Sequence, residues 1–159
     1  MYNLFKVSTA IAFLASLTLT TQAMAHHQPI HNDYAQIECL AQNVYFEAGN
    51  QSTIGQIAVT NVVMNRIANG FAKTPCGVVM QRTKRVCQFS WTCTKPRIHD
   101  WDLYNRSRKV AHDVYYAQVP DVTHGATFYH ANYVHPRWNM VKVASIGQHV
   151  FYRPRSIVT

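Results

Sequence analysis

Glu38-Cys39-Leu40-Ala41-Gln42-Asn43-Val44-Tyr45-Phe46-Glu47-Ala48-Gly49 is the stretch around which this chain is organised. With Ile37 ahead of it, apolar residues recur as Ile37, Leu40, Ala41, Val44, Tyr45 and Ala48, at the three- and four-residue spacings of one helical face. A helix is expected from Gln36 to Ala48, stopped by Gly49 as a residue tolerant of positive φ. At about 100° per residue, Glu47 falls close to Leu40, on the flank of the buried face. Glu38 lies nine positions earlier, half a turn away, so these two glutamates do not converge on one site. A carboxyl group beside Phe46 and Ala48 on that flank is partly desolvated, which disfavours its ionised form and raises its pKa. That is the condition under which a glutamate becomes a general acid near neutral pH. The competing reading is an exposed glutamate in a last helical turn, mildly unfavourable against the helix dipole.

On the N-terminal side, Lys6, the apolar run from Val7 to Leu19 and the small-x-small triplet Ala23-Met24-Ala25 have the pattern of a secretory leader. The run is shorter than the ~20 residues that span a bilayer, so a cleaved signal over residues 1–25 is expected rather than an anchor. Residues 26–36, which hold three histidines, read as a polar arm, and one catalytic domain is expected over residues 37–153. The four cysteines, Cys39, Cys76, Cys87 and Cys93, are an even number in an exported chain, the usage of disulfides. Four cysteines allow three pairings, of which the separations favour Cys39–Cys76 and Cys87–Cys93. With 15 Lys and Arg against 7 Asp and Glu, the formal charge of +8 favours an anionic partner. For an exported chain that partner is a cell wall with free carboxylates rather than nucleic acid.

Towards the C-terminus, a second helix is expected to open with a capping box of Thr53 and Gln56 and to stop at Asn69-Gly70. It is apolar on most sides and so reads as the central helix. A short helical piece is expected over Val78 to Gln81, a solvated basic loop over Arg82 to Arg85, and strand character from Val86 to Trp91. Asp100 is expected to cap a third long helix reaching about Gln118, before Pro120. Thr127 to His130, Val141 to Ala144 and His149 to Arg153 then read as short strands. Helices followed by a small antiparallel sheet make an α+β arrangement.

Three sets of residues bear on chemistry. Ordinary glycoside hydrolysis uses two carboxylates across the scissile bond, but no acid other than Glu47 stands in an evident motif. A mechanism with a single carboxylate, acting first as acid and then as base, therefore carries weight. His124, His130 and His135 offer an alternative, a zinc-dependent amidase, although their spacing matches no zinc helix motif. Phe89, Trp91, Trp101, Phe128, Tyr129, Tyr133, Trp138, Phe151 and Tyr152 are many aromatics for one small domain, and those at a cleft rim can stack on sugar rings. A basic wall-binding module without catalysis is the third reading.

Several ordered segments resemble the SleB/CwlJ family of cell-wall hydrolases. They are Cys39 to Ala48, Gly55 to Val59, Val62-Val63-Met64-Asn65-Arg66, Cys76-Gly77-Val78-Val79, Cys87-Gln88-Phe89-Ser90-Trp91, Gly125 to His130 and Phe151-Tyr152-Arg153. The resemblance implies a lysozyme-like catalytic domain acting on peptidoglycan glycan strands; about three main helices with a small sheet, a monomer, and no metal or cofactor are expected alongside it. It maps the catalytic glutamate onto Glu47 and implies that Gln88, Phe89 and Ser90 line the cleft opposite. Tyr45, Tyr129 and His130, in the matching segments, are further candidate substrate contacts. The family is associated both with muramoyl-alanine amidases and with glycan-strand lytic transglycosylases, and the single well-placed acid favours the second. Where family members commonly continue E-A-R-G-E, this chain has Glu47-Ala48-Gly49-Asn50-Gln51, without the arginine or the second acid.

Overall fold

The computed structural model describes residues 30–155, so the expected leader and residues 26–29 of the expected arm lie outside the described residues. Helices α1 (Ile30–Ala48), α2 (Thr53–Ala68), α3 (Pro75–Val79), α4 (Trp91–Thr94) and α5 (Trp101–Tyr115) precede strands β1 (Phe128–Ala131), β2 (Met140–Ile146) and β3 (His149–Pro154). The strands form one antiparallel sheet in the order β1-β3-β2. This is the expected α+β arrangement, with three long helices and a small sheet. None of the described helices is long and apolar enough to cross a membrane.

The helix α2 is the wall between two cores. On one side Val63 packs with Leu40 and Ala41 of α1, Val78 and Val79 of α3, Phe89, Trp91, and Tyr104 and Ala111 of α5. On the other, Ala58, Val59 and Val62 pack with Ala48 and with Ala126 and Phe151 at the sheet. Phe151 is fully buried, and its partner across the ladder is Tyr129 of β1. Period-two alternation therefore turns Tyr129, Phe151 and His149 towards α2, and leaves Phe128, His130 and Tyr152 on the opposite face.

Several local expectations are corrected. The first helix begins at Ile30, inside the expected arm, because Asp33 accepts hydrogen bonds from Tyr115 and Tyr116 at 2.8 and 3.2 Å and Gln36 accepts from the Cys76 amide at 3.0 Å. An acid in a first turn also suits the helix dipole. The capping box does not form. Ser52 occupies the N-cap position, and the Gln56 amide reaches back instead to Gly49 O and Gln51 O, at 3.1 and 3.4 Å. The short third helix lies over Pro75–Val79, capped by the Thr74 side chain on Gly77 N at 3.1 Å. The residues from Val86 to Trp91 join no sheet strand. They form the return arm of a small hairpin, bridged at Arg82 and Cys87, that turns into α4 at Trp91. Trp91 is buried with its indole N–H on Asn43 Oδ1 at 3.2 Å, and that tertiary anchor outweighs the local β-preference.

Disulfides join Cys39 to Cys76 and Cys87 to Cys93. The first fastens α1 to α3, and the second closes the loop between the hairpin and α4.

Candidate active site

Glu47 is the next-to-last residue of α1, and what fixes it is the way that helix ends. Gly49 is buried and does not adopt positive φ. A Cβ at this position would sit 2.5 Å from Tyr45 O and 3.1 Å from Leu103 Cδ2, so the site requires glycine for space rather than for left-handed backbone. Gln51 then docks the β2–β3 turn onto the end of α1, accepting from Gln148 N at 3.0 Å and donating to Gln148 Oε1 at 2.9 Å. Helix end and sheet are thereby held in one register.

The Tyr129 hydroxyl reaches across from β1 and donates to Glu47 Oε2 at 3.1 Å. Among the described residues no donor reaches Oε1, which is not shut off from solvent. Burial pushes the Glu47 pKa up; the Tyr129 hydrogen bond and the charge of Arg66 pull it back only in part. Tyr129 is itself held protonated, since burial and then the neighbouring Glu47 charge raise its pKa well above the ordinary value. The carboxyl group is thus biased towards its acid form and keeps one oxygen within reach of solvent.

Behind this pair stands Arg66 of α2, only 3% exposed. Its Nε donates to Thr127 O at 2.7 Å, and its guanidinium carbon lies 5.6 Å from the ring centres of both Phe89 and Phe128 and 5.9 Å from that of Phe71. The Gln88 amide, oriented with its oxygen towards the guanidinium, accepts from Nη1 and Nη2 at 3.0 and 3.2 Å. No carboxylate pairs directly with this arginine among the described residues, so carbonyl oxygens and ring faces carry the buried charge. The same face of α2 fixes the chain entering β1. Asn61 accepts from Val122 N at 3.2 Å, and Asn65 Nδ2 donates to Asp121, Thr123 and Ala126 O at 3.0, 3.2 and 3.1 Å.

The candidates named from sequence divide accordingly. Glu47 and Tyr129 come together. Gln88 and Phe89 reach them through Arg66, and Ser90, exposed at the start of α4, follows in the same segment. Tyr45 is not brought to the site. Two residues from Glu47 on a helix it points to the other side, where its hydroxyl accepts from His99 N and Asp100 N at 3.2 Å each. His130 lies on the outer face of the sheet, stacked on Tyr152, with Nε2 3.0 Å from the Tyr152 hydroxyl and Nδ1 2.8 Å from Ala131 O. His124 is exposed in a turn at φ 52°, and His135 is exposed in the β1–β2 loop. The three histidines form no ligand set, and no group of three metal-ligating side chains occurs among the described residues.

Sequence reasoning missed the roles of Arg66 and His149. An arginine spaced three and four residues from Val63 and Val62 on an apolar helix signals a buried guanidinium. His149 carries no comparable signal. It is buried edge-on against Tyr129, 5.1 Å between ring centres, and burial followed by the influence of His130 depresses its pKa. A cavity of about 680 Å³ is lined by Gly49 to Thr53, Gln56 and residues of α5 including Arg106 and Lys109. Neither Glu47 nor any other acid is among its lining residues.

The remaining acids have structural tasks. Glu38 accepts from Tyr104 at 2.6 Å and forms a 2.6 Å ion pair with Arg108 that is not aligned as a hydrogen bond. Asp33 holds Tyr115 and Tyr116, Asp100 caps α5, Asp113 pairs with Lys109, and Asp102 is exposed in the first turn of α5. At Asp121 burial raises the pKa, but hydrogen bonds from Thr123, Gly125 and Asn65 outweigh it and leave the pKa lowered. No carboxylate is among the groups acting on Glu47.

Residues 50–152, more than half of the chain, match the family model described as Cell Wall Hydrolase, a match that begins just after Glu47. Comparison with curated proteins finds no match. The crystal structure of the catalytic domain of the Bacillus cereus SleB protein is similar, with TM-score 0.58 and 23% identity over 76% of this chain and 91% of that one. So is the catalytic domain of SleB from Bacillus anthracis, described as a germination-specific lytic transglycosylase, with TM-score 0.60 and 22% identity over 74% and 93%. At such identities the likeness carries the fold, the lysozyme-like domain expected from sequence. The family match covers both the α2 face that holds the site and the sheet that supplies Tyr129, and the chain belongs to the cell wall hydrolase family.

Proposed function

We propose that this chain is a peptidoglycan lytic transglycosylase, exported to the cell wall, that cleaves the β-1,4 bond between N-acetylmuramic acid and N-acetylglucosamine. The observation that carries the reading is a single carboxyl group, Glu47, biased towards its acid form and without a second carboxylate acting on it. In the first step protonated Glu47 gives its proton to the glycosidic oxygen as the bond to C1 of the muramic residue breaks. In the second the resulting carboxylate takes the proton of the muramic C6 hydroxyl, whose oxygen closes onto C1. The products are a 1,6-anhydro end and a free 4-hydroxyl, and no water is consumed. Tyr129 would hold the carboxylate between the steps, which suits a hydroxyl whose own pKa is raised. The description of the Bacillus anthracis SleB domain as a lytic transglycosylase supports the same class of reaction.

The test is mass spectrometry of muropeptides released from purified sacculi. 1,6-Anhydromuramic ends are expected from the wild-type protein, and Glu47→Gln is expected to lose at least ~10²–10⁴-fold in rate. Reducing ends would instead indicate hydrolysis, and free stem peptides an amidase. Equal clearing of sacculi by Glu47→Gln would remove Glu47 from the chemistry.

A further inference from the structure

The hairpin between α3 and α4 has no part in the reaction outlined above, yet it opens beside it. The Gln88 N–H donating to Gln81 O, the Arg82–Cys87 bridge and the Thr83–Val86 turn define the hairpin, and the Cys87–Cys93 disulfide pins its base. Its outer residues are Arg82, Lys84, Arg85 and Val86, all exposed. A groove of about 360 Å³, lined by Phe71, Gln81, Arg82, Thr83, Val86 and Gln88, runs along one side. A second of about 430 Å³ shares Arg82, Thr83 and Val86 and adds Lys84 and Arg85. The first groove ends at two side chains of the candidate active site, since Gln88 accepts from the Arg66 guanidinium and Phe71 packs by it.

The charge here is uncompensated. No Asp or Glu occurs between Glu47 and Asp100, a stretch that includes the whole hairpin. The ion pairs among the described residues all belong to α1 and α5, so none involves Arg82, Lys84 or Arg85. Three cations on a disulfide-pinned turn, with the apolar surface of Phe71 and the 63%-exposed Val86 lining the groove beside Arg82, complement a short peptide that alternates methyl groups and carboxylates. Peptidoglycan carries such peptides on each muramic residue. We infer that the 81–88 hairpin is the binding site for the acidic stem peptide of the substrate. The inference rests on the glycosidase reading for its substrate, and places the muramic residue's peptide on the Gln88 side of Glu47.

The test compares the wild type with Arg82→Gln/Lys84→Gln/Arg85→Gln and with a charge-matched control, Lys95→Gln/Arg97→Gln/Arg106→Gln. Thermal melts first establish that all three fold alike. Each is assayed on intact sacculi and on glycan strands stripped of stem peptides by an amidase. On intact sacculi the hairpin variant should show KM raised on the order of tenfold with kcat retained, the combined effect of removing three weak, exposed charge pairings. On stripped strands wild type and hairpin variant should have equal KM, and the control should follow the wild type on both substrates. An unchanged KM on sacculi, the same loss on stripped strands, or an equal loss in the control would each overturn the inference. A soluble L-Ala–γ-D-Glu–meso-diaminopimelate tripeptide, titrated into Glu47→Gln protein and followed by NMR, gives a readout that needs no turnover. Shifts at Val86 and Arg82 are expected, and their absence would overturn the inference. Absence of new glycan ends with the wild type, by contrast, would overturn the glycosidase reading alone.

Discussion

Glu47, the acid of the proposed reaction, carries a cost in stability at neutral pH. Its pKa is raised in the folded protein, mainly by burial, so folding binds a proton more tightly there than the unfolded chain does. Its contribution is therefore fully present below the ordinary carboxyl pKa of 4.5 and is lost as pH rises through the raised value. Glu47→Gln, which removes the charge but keeps the shape, should accordingly unfold at higher temperature than the wild type at pH 7. The difference should vanish below about pH 4, where the wild-type carboxyl is protonated in both states; calorimetry over that range checks it. Tyr129→Phe acts in the opposite sense on the reaction. The lost hydrogen bond favoured the ionised form, so the Glu47 pKa rises further and the alkaline limb of the kcat/KM profile should move to higher pH. An unmoved limb would show that Tyr129 does not act on the reacting proton. Of these two residues, Glu47 was legible in the sequence because its helical period is strong and acids are scarce. The partnership was not, because 82 residues separate Tyr129 from it and only the sheet's docking brings them to 3.1 Å.

At the scale of elements, the end of α1 controls where Glu47 points. Gly49→Ala would press a Cβ against the Tyr45 carbonyl, 2.5 Å away, in a backbone contact that no rotamer relieves. A cost of ~1–3 kcal/mol in stability is expected from such overpacking, read in denaturant melts. A displacement of the last turn by about 1 Å would also lower kcat by up to ~10²-fold. The E-A-R-G-E continuation of the resembling family would not fit this helix end as it stands, since any side chain at residue 49 meets the same carbonyl. The last residue of that segment is here Gln51, which spends its amide on the β2–β3 turn. The long elements α2, α5 and the three strands were readable from periodicity, whereas the extension of α1 to Ile30 and the short α4 were not. Both depend on distant partners, Tyr115 and Tyr116 for Asp33 and Asn43 for Trp91.

For the whole molecule, two disulfides supplement a core divided by α2. Cys39–Cys76 closes a 37-residue separation and Cys87–Cys93 one of only 6. Chain entropy predicts stabilisation of ~4 kcal/mol for the first and ~2 kcal/mol for the second. Replacing each pair by alanines should therefore lower the urea midpoint more for Cys39 and Cys76. The smaller loss at Cys87 and Cys93 should be accompanied by a loosened hairpin, visible as faster amide exchange at Gln88. By itself the sequence determined the helical face that carries Glu47, the α+β order of the elements and the family. Those follow from local periodicity and from motifs read in series, which require no knowledge of what packs on what. Only the tertiary structure decided that Tyr129 and Arg66 act on Glu47 while Tyr45 and His130 do not. Facing across a sheet or around a helix depends on register and docking, and a shift of one residue turns a strand side chain to the opposite face and a helical one by about 100°.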